Sequence, residues 1–163
     1  MPPPSIQLLV FRMAGRRWAI PASHARKILP IRALAPRVSE PDWMAGIVEE
    51  RGRSLGVVDL RKRFSGKAES ASARIVVARL KTTLVGLIVD AVEAVDEFSQ
   101  SSIRSAEPRA GEPTGCSGVA RQGDKGENVW ILDLRTLFAD SEMRQLEDVF
   151  ERRAAAVSSG GGA

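Results

Sequence analysis

The chain has no tyrosine, one histidine and one cysteine in 163 residues. A lone thiol, Cys116, cannot close an internal disulfide or supply a cysteine-based metal site, and it fits a reducing compartment. His24 stands between Ser23 and Ala25 with no nucleophile or orienting acid near it in sequence, so it reads as a structural or exposed residue rather than a base or ligand. With five Phe, three Trp and no Tyr, at core-like positions, the chain has little to stack against nucleic-acid bases. Long apolar runs are missing too. The first, Ile6 to Phe11, is broken by Arg12, has no basic segment ahead of it and is far too short to span a bilayer. Charge of one sign is also scarce: 24 basic and 20 acidic residues leave +4, a small surplus that permits a nucleic-acid partner without implying one.

The hydrophobic fraction of 44% and charged fraction of 27% are those of an ordinary globular chain, so a packed core is expected. A chain of this length buries roughly two-thirds of its unfolded surface. Short, β-branched or aromatic segments recur along it, separated by turn signals such as Ala14-Gly15-Arg16-Arg17. Leu8 to Met13, Trp18 to Ala22, Met44 to Glu49 and Leu55 to Leu60 read as strands of a first barrel, over 6–64. After a polar gap at 65–72, Arg74 to Leu80, Leu84 to Val89, Ala91 to Phe98, Ser117 to Arg121 and Val129 to Leu134 read as a second, over 73–138. Regular short strands with little helix between them predict an all-β architecture. A C-terminal helix is expected over 139–157, capped by Asp140 or Ser141, with Met143, Leu146 and Phe150 on its apolar stripe. Residues 1–5, with three prolines, and the Gly/Ser stretch 158–163 read as disordered tails. The Met1 start, this tail and the order of the motifs point to a stand-alone protein of one domain over 6–150.

Three strands close on aspartates, Asp59, Asp90 and Asp133, which suggests a carboxylate cluster at first sight. Each stands immediately before a turn or another strand, where aspartate commonly accepts backbone N–H groups, and that reading is preferred. Gly111, Gly115 and Gly118 lie in a loop with Pro108 and Pro113, and no Lys-Ser pair or strand-to-helix context follows to make a phosphate cradle. No catalytic, metal-binding or cofactor-binding residue is expected.

Gly46 to Asp59 reads as two apolar strands joined by a charged Arg51-Gly52-Arg53 turn, followed by Val85-Gly86-Leu87-Ile88-Val89-Asp90 and Val129-Trp130-Ile131-Leu132-Asp133-Leu134. In this order the motifs resemble the CheW family of chemosensory coupling proteins across about residues 6 to 150. The resemblance implies two five-stranded SH3-like barrels and a C-terminal helix, without catalytic activity or cofactor. It implies a cytoplasmic adaptor, recruited to membrane-associated receptor arrays, that joins a CheA-type histidine kinase to the helical tip of a chemoreceptor. Carried over by motif, the kinase-facing residues are Ala25, Lys27, Ile28 and Gly46. The receptor groove between the barrels draws on Arg51, Val85, Gly86 and Ile103. Gly46 and Gly86 would admit a close backbone or serve a bulge. Arg51 would orient the groove through its guanidinium fork or stand as a solvated hairpin charge.

The chain departs from the family pattern where partners are chosen. Ala25-Arg26-Lys27-Ile28 has a base where many members have a glutamate, Glu49 replaces the motif asparagine, and Gly56 stands where proline is usual. An inverted charge on a docking strand would keep the adaptor with its own kinase. Two other readings stand beside this one. Arg-rich turns at Arg16-Arg17, Arg51-Gly52-Arg53 and Arg61-Lys62-Arg63 suggest a small basic nucleic-acid-binding barrel, and the inter-barrel groove suggests a hidden enzyme.

Overall fold

A computed structural model describes residues 4–36, 41–64, 71–105, 115–121 and 126–160, with side chains to Glu151 in the last helix. Among the described residues twelve strands form two sheets. They are β1 (Ser5–Met13), β2 (Arg16–Pro21), β3 (Ala25–Pro30), β4 (Ala35–Pro36), β5 (Gly46–Glu50), β6 (Arg53–Asp59), β7 (Arg74–Leu80), β8 (Thr83–Val89), β9 (Ala91–Ser99), β10 (Ile103–Ser105), β11 (Cys116–Arg121) and β12 (Asn128–Leu132). Helices α1 (Leu60–Phe64), α2 (Leu134–Leu137) and α3 (Asp140–Gly160) complete the described chain. Each sheet curls into a small barrel of five main strands and one very short one, β4 or β10.

Strand partners do not follow the expected division into 6–64 and 73–138. One sheet runs β10-β11-β12-β2-β1-β9 and the other β3-β7-β8-β6-β5-β4. The strand order repeats with a period of six, but the hairpins β1-β2 and β7-β8 have changed places, each pairing with the other half's strands. In each sheet the exchanged hairpin enters through one parallel seam, β2 against β12 and β8 against β6. The repeat extends to irregularities. Opposite Phe11 and Val10 the register of β9 slips by one residue at Glu93, and opposite Ala78 and Val77 the register of β3 slips at Arg26. Counting from the hairpin ends Met13↔Arg16 and Leu80↔Thr83, Phe11 corresponds to Ala78, so Arg26 and Glu93 are equivalent bulge residues.

Period-two alternation distributes side chains among three cores. Leu8 and Val10 of β1 point into the first barrel with Ala19, Phe98, Ala120 and Val129. Ile75 and Val77 of β7 point into the second with Leu29, Val48, Leu55, Val57 and Ile88. The alternate positions, Leu9, Phe11 and Met13 on β1 and Val76, Ala78 and Leu80 on β7, meet between the sheets in one continuous cluster. Strands buried on both faces read as unbroken apolar runs, which is why Val85 to Val89 has no polar interruption.

Helix α3 lays Met143, Leu146 and Val149 onto the inter-sheet cluster, each side chain worth about 1.5–3 kcal/mol of burial. Gly56 makes room for it, since a Cβ there would lie 2.8 Å from Leu146 Cδ2. The helix starts one residue earlier than the expected cap. The Ala139 N–H donates to Glu142 Oε1 at 3.0 Å, and the Ala139 carbonyl accepts from Met143 N. Arg63 ties α1 to this terminus, bonding Glu142 and the Leu137 carbonyl while its guanidinium lies over the rings of Trp43 and Phe138.

The expected tail at 1–5 is corrected at its end. Ser5 belongs to β1 opposite Ser99, and the Pro4 carbonyl accepts from Gln100 N, whereas residues 1–3 lie outside the described chain. Residues 158–160 continue α3, and 161–163 lie outside the described chain, as do 65–70 of the expected gap and the loop residues Pro108, Gly111 and Pro113.

Candidate functional site

The three aspartates accept backbone N–H groups at their strand ends. Asp59 Oδ1 accepts from Arg61 N at 3.0 Å, Asp133 Oδ1 from Arg135 N at 3.1 Å, and Asp90 Oδ2 from Ala14 N at 3.1 Å. Asp59 also takes a two-pronged bond from the Arg61 guanidinium, at 2.9 and 3.0 Å. That hydrogen bond raises the Arg61 pKa above its ordinary value, against burial, with the charges of Asp59 and Asp90 adding to it. These carboxylates are therefore part of the scaffold. Among the described residues no group of three or more His, Cys, Asp and Glu is arranged to hold a metal ion. His24 is exposed in a single 3-10 turn between β2 and β3.

The four kinase-side residues occupy two different environments. Ala25, Lys27 and Ile28 lie on β3, an outermost strand that among the described residues pairs only with β7 and has no strand on its other edge. Ile28 is 43% exposed, and Ile31, just beyond the strand, 36%. Gly46 is buried on β5 between β4 and β6, and a Cβ there would stand 2.1 Å from the Ala35 carbonyl oxygen. The glycine lets β4 approach and offers no surface of its own.

The receptor-side residues are likewise dispersed. Val85 is wholly buried in the inter-sheet cluster. Gly86 faces Val57 across the parallel seam, where a Cβ would meet Val57 Cγ2 at 2.9 Å and Ile75 Cγ2 at 3.0 Å. Ile103 lies on β10 at the far edge of the other sheet, half-buried against the first barrel's core. Arg51 alone is fully presented, its side chain 91% exposed at a two-residue turn where Arg51 and Gly52 have φ of 52° and 77°.

Two concavities organise this surface. A groove of about 480 Å³ runs between the barrels, its wall made of the apolar Ile20, Pro21, Leu80, Ile131, Leu132 and Leu134 and of the polar or charged His24, Arg79, Lys81, Ser117, Asp133 and Arg135. None of Arg51, Val85, Gly86 and Ile103 lines it. A cleft of about 550 Å³ lies between β3, the β5–β6 turn and the start of β8. It brings Lys27 and Arg51, assigned to different partners, to one place. Glu50 joins them, 2.7 Å from Lys27 Nζ and 4.0 Å from Arg51 Nε. Arg26 and Arg79 line the same cleft. Neither was singled out for the site from sequence: Arg26 stands in a bulge and Arg79 near the exposed end of a strand otherwise buried on both faces, and only the fold brings them together.

The described chain is of the two-barrel all-β class, with an exposed strand edge at β3, a charged cleft beside it and a partly apolar groove between the barrels. The chain belongs to the CheW-like domain family, which it matches over residues 7–142. It is 25% identical over 138 residues to chemotaxis protein CheW of Rhizobium meliloti, covering 83% of this chain and 89% of that one. It is 24% identical over 152 residues to CheW of Treponema pallidum, covering 88% of each. The crystal structure of the scaffolding protein TtCheW from Thermoanaerobacter tengcongensis superposes with a TM-score of 0.73 at 27% identity, covering 83% of this chain and 93% of that one. Among the described residues no helix is long and apolar enough to cross a membrane.

Proposed function

We propose that this chain is a non-catalytic adaptor that couples the cytoplasmic tip of a chemoreceptor to a CheA-type histidine autokinase in a chemosensory array. The single observation carrying this reading is the two-barrel scaffold with an exposed strand edge at β3 and a partly apolar groove between the barrels, which shares Arg79 with the cleft beside β3. An open edge completes another protein's sheet, giving affinity without an active site. A groove of apolar side chains accepts the apolar face of a helix. In this account the kinase's SH3-like regulatory domain docks along β3, through Ala25, Lys27 and Ile28. The receptor tip enters the groove, and Arg51 acts at the end of the second barrel. Gly46, Val85 and Gly86 act indirectly, by setting the strand spacing beneath these surfaces. Holding both partners in one relation gives two modest interfaces a high effective concentration. The adaptor works in the cytoplasm, at the membrane-associated array.

The reading is tested by using the purified protein as bait in lysate from its own cells and identifying retained proteins by mass spectrometry. A CheA-type kinase, with or without receptors, is the expected catch. Retention of nucleic acid in place of either would overturn the proposal.

A further inference from the structure

The two outermost long strands, β3 and β9, are equivalent in the two six-strand repeats, yet opposite in charge. After the shared bulge, β3 reads Lys27-Ile28-Leu29-Pro30 and β9 reads Ala94-Val95-Asp96-Glu97, with Arg26 and Glu93 at the bulge itself. Ile28 and Val95, 43% and 52% exposed, stand at the same position on the two edges. Beside β3 the charge is reinforced. Arg26, Lys27, Arg51 and Arg79 line the cleft, and Glu50 is the one carboxylate in its wall. The Lys27–Glu50 pair is exposed, and such a pair is held weakly enough to exchange for an incoming acid.

We propose that the β3 edge and its cleft form a basic docking site for an extended acidic strand of the partner kinase's regulatory domain. The partner's backbone completes the sheet at β3. Its carboxylates enter the cleft between Arg26, Lys27 and Arg79, and an apolar side chain packs on Ile28 and Ile31. The kinase is preferred over a second copy of this chain because the acids of β9 are already engaged at home. Glu93 is bonded by Arg17 and approached by Arg12, and Glu97 takes the Ser5 hydroxyl. The inference rests on the adaptor reading and adds the chemistry of the partner's edge.

The test uses the full chain and two forms of a CheA-type regulatory domain, one with an edge strand bearing Glu or Asp and one with those residues changed to Lys. Affinities are measured by titration calorimetry at low and high salt. The wild-type chain is expected to bind the acidic form, more weakly as salt rises. Arg26→Glu with Lys27→Glu is expected to lose about tenfold or more against the acidic form and to regain affinity for the Lys form. Equal affinity for both forms would overturn the charge-matched edge and leave the adaptor reading standing. Binding of neither form by a chain with an intact circular dichroism spectrum would overturn both. Sedimentation equilibrium supplies the remaining outcome: self-association abolished by the same double substitution would assign the edge to a second copy and overturn the kinase assignment.

Discussion

Asp59 and Asp133 are equivalent residues of the two repeats, each beginning an Asp-Leu-Arg turn and each accepting the N–H of the arginine two residues on. Their arginines differ. The Arg61 side chain is 9% exposed and forks onto Asp59, whereas Arg135 is 77% exposed and 3.8 Å from its aspartate. Asp59→Ala removes the forked carboxylate from a buried guanidinium and is expected to cost about 2–3 kcal/mol. Asp133→Ala removes a cap and an exposed pair, about 1 kcal/mol. Urea midpoints for the two variants check the difference.

Gly46 and Gly86 separate packing from contact. Gly46→Ala drives a Cβ into the Ala35 carbonyl, which β4 can relieve only by moving, while Gly86→Ala meets methyl groups of Val57 and Ile75. Both variants are expected to lose about 1–3 kcal/mol, Gly46→Ala the more. Kinase binding by Gly46→Ala should fall only where the fold is lost, as parallel melting and binding curves would reveal. A binding defect in a fully stable Gly46→Ala protein would contradict its role as a spacer.

Arg51 is placed the other way round, exposed and at positive φ. Arg51→Ala should change stability by less than about 0.5 kcal/mol. In the adaptor account it weakens receptor coupling all the same. Arg51→Asn, better suited to the first position of this hairpin turn, should raise thermal stability slightly while showing the same coupling loss.

Acid should loosen α3. Burial pushes the Glu142 carboxyl up, but its bonds to Arg63 and the Ala139 N–H, with the Arg63 charge, outweigh this and hold its pKa below the ordinary glutamate value. A carboxylate favoured in the folded state stabilises above the unfolded pKa of about 4.3, and that stability is lost as pH falls through the lower folded value. Glu142→Gln is expected to be less stable than wild type at pH 7 and to converge with it under acid, as denaturation at each pH would show.

The strands were legible where both faces are buried or where a two-residue turn joins them: β7 is found at Arg74–Leu80 as expected from its β-branched apolar run. The edge strand β3 was harder, unlike β9, expected at Ala91 to Phe98 and found at Ala91–Ser99. β3 ends in proline and carries Arg26, Lys27 and Ile28 exposed in succession, so the residues alone show no alternation, and its strand character came from the family motif. Helices α1 and α2, of five and four residues, are too short to show a helical period, and Leu60 reads as the end of a strand. The hairpin exchange was invisible because alternation says which side a residue faces and nothing of which distant strand it pairs with. Val85 came to the receptor side through the family motif alone: a strand between two cores and a strand beside a groove have the same apolar sequence, so the residues themselves do not show its burial.

The central claim is that one scaffold holds receptor and kinase together, and the most direct measurement is reconstitution from purified parts. A chemoreceptor cytoplasmic fragment, a CheA-type kinase and this protein are mixed, with co-sedimentation and kinase autophosphorylation followed as the protein is added. The account predicts that kinase sediments with receptor, and that its autophosphorylation responds to receptor, only when this chain is present. Equal co-sedimentation and equal kinase activity with and without it would contradict the account.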